Sequence, residues 1–100
     1  MKYLILILIL VSVGVSAESS KIKGCKSLEN LAIAIMKARQ ADIAMSKLYE
    51  INLAKNNPAM DKAIKQMIID AYKMPSFADP QIKEKMIKDY GNAAFLHCIE

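Results

Sequence analysis

The chain has 100 residues, a net charge of +4, 54% apolar residues and no tryptophan. That length accommodates one domain. Lysines are spread along the whole chain and only four tyrosines and two phenylalanines accompany them, an arrangement that argues against nucleic-acid binding, which needs basic residues gathered on one face.

Residues 1–17, MKYLILILILVSVGVSA, have the layout of a secretory signal. Lys2 supplies the positive start, Tyr3–Val15 is an apolar run of 13 residues, and Val15 and Ala17 occupy the small-residue positions before a cleavage site. The run is shorter than the roughly 20 residues of a spanning helix, so cleavage after Ala17 is expected rather than a retained anchor. The expected location is periplasmic or secreted. Cleavage would leave 13 basic against 10 acidic residues, a net charge of +3.

Residues 18–24, ESSKIKG, read as a loose polar segment, followed by a helical domain over 25–100. Leu28, Leu31, Ala32, Ile35 and Ala38 fall on one face of a helix over about 26–40, widened by Ile33, Ala34 and Met36. Lys37 and Arg39 suit the negative end of its dipole. ADIAM, 41–45, is a connection. A short second helix over about 46–55 follows, with Ser46 or Asp42 as its cap and Leu48, Ile51 and Leu53 apolar. Asn57-Pro58 is an N-cap followed by proline at the first helical position, and it starts a third helix that runs to about Lys73. Its apolar side is Met60, Ile64, Met67, Ile68 and Ala71. Pro75 pushes Met74 away from helical angles. Asp79-Pro80 repeats the start device for a fourth helix with Ile82, Met86, Ile87, Tyr90, Ala94, Phe95 and Cys98 on one face. Gly91 marks a bend or a close contact in it.

Cys25 and Cys98 are the only cysteines, 73 positions apart at the two ends of the helical region. In an exported chain two cysteines read first as a disulfide. A structural zinc would want four ligands, and besides the cysteines only His97 is at hand. Antiparallel helices with short loops reverse at each turn, so an even number returns the chain to its starting pole. An intramolecular Cys25–Cys98 bond and four helices therefore support each other, with an intermolecular bond as the alternative. The expected fold class is all-α, a small antiparallel bundle of about four helices closed by one disulfide.

No catalytic constellation, metal site or cofactor is expected. His97 neighbours Cys98, but consecutive helical residues do not face each other, so it reads as a solvated helix-end histidine. The methionines lack the close clustering of thioether copper sites; Met60, Met67 and Met74 recur at seven-residue spacing, as core filler does. Asp70 and Asp89 read as salt-bridge partners of lysines. Arg39 is the single arginine. It suggests a specific planar contact, either an internal ion pair with Asp70 or a partner contact.

Three strings, C-x-S-L-E-N-L-A-x-x-I-M-x-A-R-Q-A (25–41), M-I-I-D-A-Y-K-M-P (67–75) and D-Y-G-N-A-A-F-L-H-C (89–98), together resemble small exported proteins of unknown function from Gram-negative bacteria and their prophages. Members often carry glycine where this chain has Asp42. The resemblance implies a periplasmic location and lends no activity. The functional expectation is a non-catalytic protein that binds or modulates an unknown periplasmic partner. Arg39, Tyr72, Pro75 and Phe77 are the candidate contact, unless Phe77 covers the core. The alternative is binding to membrane or other anionic surfaces through Lys62, Lys65, Lys83, Lys85 and Lys88.

Overall fold

The computed structural model describes the backbone of residues 2–51 and 56–100, and the side chains of 19–51 and 56–100. Among the described residues the chain is all-α, with helices α1 (Lys2–Gln40), α2 (Met45–Glu50), α3 (Pro58–Lys73) and α4 (Pro80–Ile99) and no strand. The expected signal at 1–17 lies outside the residues whose side chains are described. Residues 18–24 are not a separate loose segment: they continue α1 as helix, with residues 19–24 exposed. Nothing in ESSKIKG interrupts the hydrogen-bond ladder except Gly24, whose helical penalty of about 1 kcal/mol one residue does not turn into a break. Among the described residues no helix is long and apolar enough to cross a membrane.

Helix ends follow local chemistry. The Asn57 side chain accepts from the Met60 amide at 3.1 Å, and the Asp79 side chain accepts from the Gln81 amide at 2.9 Å. Each cap is followed by proline at the start of its helix, where the missing N–H is not needed. α1 ends in a Schellman motif. The Ile43 amide donates to the Ala38 carbonyl at 3.0 Å and the Asp42 amide to the Arg39 carbonyl at 3.1 Å. Asp42 has φ 59°, the left-handed region where glycine is at ease, so it closes α1 rather than capping the next helix. Ser46 does not cap α2 either. The N-cap is Ala44 with no side-chain bond, and α2 ends at Glu50, well short of residue 55.

α1 and α4 pack antiparallel in a regular register. Lys83 Nζ donates to the Gln40 carbonyl at one end, Gly91 lies against Ile33 and Glu29 in the middle, and the Cys25–Cys98 disulfide closes the other end with Cα atoms 5.5 Å apart. α3 runs in the same sense as α1, its C-terminal Tyr72 over the end of α1 at Arg39. The core is Ile35 and Met36 of α1 against Ile64, Ile68 and Ala71 of α3, with Met45, Leu48, Met86, Ile87 and Tyr90 packed around it. Met36 and Ile68 are fully buried. Three expected core positions sit on its margin: Ala34 is exposed, and Met60 and Ile82 are 37% and 40% exposed.

Candidate functional site

Two features stand out from the packed scaffold, one at each pole of the α1–α4 pair. At the pole opposite the disulfide, the last turn of α1 holds the connection between α3 and α4. Pro75 forces Met74 into extended backbone with ψ 149°, which turns the carbonyls of this connection out of the helical ladder. The Arg39 Nε donates to the Met74 carbonyl at 2.9 Å, and its guanidinium lies 5.3 Å from the centre of the Tyr72 ring. Gln40, only 3% exposed, donates its amide to the Pro75 carbonyl at 2.9 Å and accepts from the Phe77 amide at 3.0 Å. The Tyr72 hydroxyl donates to the Ile43 carbonyl at 2.6 Å. Burial raises the Tyr72 pKa above its usual value, with Arg39 opposing and Asp42 adding to the rise.

Arg39, Tyr72, Pro75 and Phe77 lie at one node. Arg39 does not pair with Asp70, whose Oδ1 accepts from the Gln66 amide at 3.0 Å instead. Its partners are a backbone carbonyl and an aromatic face. Pro75 is exposed, while Arg39, Tyr72 and Phe77 are half-buried. Gln40 is the residue the sequence reading passed over. Its neighbour in Ala-Arg-Gln drew attention as the lone arginine, whereas a glutamine that satisfies two backbone groups leaves no spacing signal.

The disulfide pole carries a groove between α1, α3 and α4 of about 350 Å³. It is lined by Leu28, Ala63, Gln66, Met67, Asp70, Ala94, His97 and Cys98. Alanines face it from both α3 and α4, leaving space that larger side chains would fill. Asp70 is the one carboxylate among the described residues that line it; Gln66, Asp70 and His97 are exposed and form its polar edge. Above the groove, the Tyr90 hydroxyl donates to the Met67 carbonyl at 2.5 Å. Burial, and next the negative charge of Asp70, push the Tyr90 pKa up to about 12.

The five candidate surface lysines are not equally free. Lys65 pairs with Asp61 at 3.1 Å and lies 5.2 Å from the Tyr49 ring centre. Lys85 pairs with Asp89 at 2.7 Å, and Lys83 is turned onto the end of α1. Lys62 and Lys88 are exposed. Among the described residues no group of three or more His, Cys, Asp or Glu side chains is placed to hold a metal ion. Comparison of the chain with family models, with curated proteins and with solved structures finds no match to any of them.

Proposed function

We propose that the protein is an exported, non-catalytic helical module that acts by binding another protein of the cell envelope and modulating it. Export is supported by the signal-like residues 1–17 and by the disulfide, a bond that persists in oxidising compartments. The observation that carries the binding role is the open, mostly apolar groove beside that disulfide. Unfilled apolar space on a small, covalently clasped scaffold suits recognition better than chemistry, because its polar edge is an amide–carboxylate pair, Gln66 with Asp70, and a separate His97, with no nucleophile bonded to a base among the described residues. The Arg39–Gln40 node then serves to hold the 74–79 connection, with Pro75 as its outward point.

Photo-crosslinking amino acids placed singly at Gln66, Pro75 and Lys88 in the living cell test this. A discrete crosslinked protein at Gln66, absent at Lys88, is the expected result. A product at Pro75 alone would move the contact to the opposite pole, and no specific product at any position would count against a protein partner.

A further inference from the structure

The groove at the disulfide pole presents a carboxylate on a chain whose net charge is positive. The protein carries a net charge of +4, yet among the described residues lining the groove the charged side chain is Asp70, which is exposed. Its hydrogen bond is to the neutral amide of Gln66, so its charge is not neutralised there, and its field reaches Tyr90. The floor beside it is apolar: Leu28, Ala63, Met67 and Ala94, with Cys98 at the end.

The form of the groove decides between a small ligand and a partner surface. Sites for small molecules enclose most of the ligand. Here Ala63, Gln66, Asp70 and His97, half of the lining residues, are themselves exposed, so an isolated molecule would keep much of its surface in water. Side chains standing on another helix have no such requirement, since the rest of that helix covers the edge. The wall is also set in advance. The disulfide ties α1 to α4 where Cys98 lines the groove, so little ordering remains to be done on binding.

From this juxtaposition we propose that the groove receives an amphipathic helix of the partner, which seats an aliphatic side chain against Leu28, Met67 and Ala94 and places a lysine or arginine one turn away against Asp70. The assignment rests on the protein-binding reading above and names the chemistry of the partner. Crosslinking to a protein at Pro75 only would leave that reading standing and remove this one. Peptide binding in the groove without any crosslinked partner in the cell would count against that reading and leave only the chemistry of the groove established.

The test uses the full, oxidised protein and two synthetic amphipathic helical peptides, one with leucine and lysine and one with glutamate in place of lysine. Methyl resonances of Leu28 and Met67 are followed by NMR. The leucine–lysine peptide should shift both saturably, although the net charge of the protein repels it, and the leucine–glutamate peptide should not. Asp70→Asn should weaken binding about 2–5-fold, the range of an exposed ion pair. Ala63→Leu, at an exposed position, should block the groove while the disulfide and the thermal melt are kept; Ala94→Leu is the second blocking variant. Equal binding of the two peptides, undiminished binding by a folded Ala63→Leu or Ala94→Leu protein, or no methyl shift at millimolar peptide would each overturn the proposal. So would octylamine producing the same shifts at the same concentration, since that would make the groove a small-amine pocket.

Discussion

Gly91 of α4 lies so close to Ile33 of α1 that a Cβ added at residue 91 would come within 2.6 Å of Ile33 Cγ1. The glycine is therefore the point at which the two longest-paired helices approach, and its helical penalty is offset by that approach. Overpacking a close contact costs about 1–3 kcal/mol, against about 1 kcal/mol regained by removing glycine from a helix interior. Gly91→Ala should lower stability by a net ~1 kcal/mol in chemical denaturation. Combined with Ile33→Ala, the same substitution should turn favourable relative to Ile33→Ala alone, and a double-mutant cycle measures that coupling.

Gln40→Ala should be among the most damaging single changes near the end of α1. It removes at once the donor to Pro75 and the acceptor for Phe77; Pro75 is exposed and Phe77 half-buried, so water takes over part of both bonds and a loss of about 1–3 kcal/mol is expected. Hydrogen exchange should locate it, with the Phe77 amide losing protection before the amides of α4.

Asp42 sits at φ 59°, where an L residue is strained and glycine is not. Asp42→Gly should raise stability by about 0.5 kcal/mol, and Asp42→Ala should lower it. The order Gly above Asp above Ala in melting temperature checks the Schellman closure of α1 directly.

Tyr90 gives the fold a dependence on high pH. Its folded pKa is raised to about 12, above the ordinary value near 10, because partial burial, and next the charge of Asp70, favour the neutral phenol. The stability linked to this shift is fully present below about pH 10 and is lost as the pH climbs toward about 12. Denaturation midpoints taken at about pH 9 and about pH 11 should fall more for the wild-type chain than for Tyr90→Phe, which has no proton to lose there. The phenylalanine variant also isolates this effect from lysine titration in the same range.

What could be read from the residues divides by the kind of signal involved. Asn57-Pro58, Asp79-Pro80 and Met74-Pro75 act locally, through φ restriction and capping, and they placed the limits of α3 and the start of α4. The pairing of Cys25 with Cys98 was legible because connectivity and helix count constrain each other. Of the two readings open for Arg39, the ion pair with Asp70 is not formed: a carboxylate is visible in a sequence as an ion-pair candidate, whereas the Met74 carbonyl, freed only by the extended backbone before Pro75, is not. Ser46 was a reasonable cap by type, but the Schellman turn at Asp42 starts α2 one residue earlier and leaves no side-chain oxygen at its N-cap. The groove depends on Ala63 of α3 and Ala94 of α4 lining one space, and residues 31 apart carry no shared period that would announce it.

The bond between Cys25 and Cys98 makes the stretch between them a covalent ring. A protease that nicks the connection between α2 and α3 therefore opens the ring without releasing a fragment. Such a nicked molecule should migrate as one intact species on a denaturing gel and separate into two pieces only when a reductant is added.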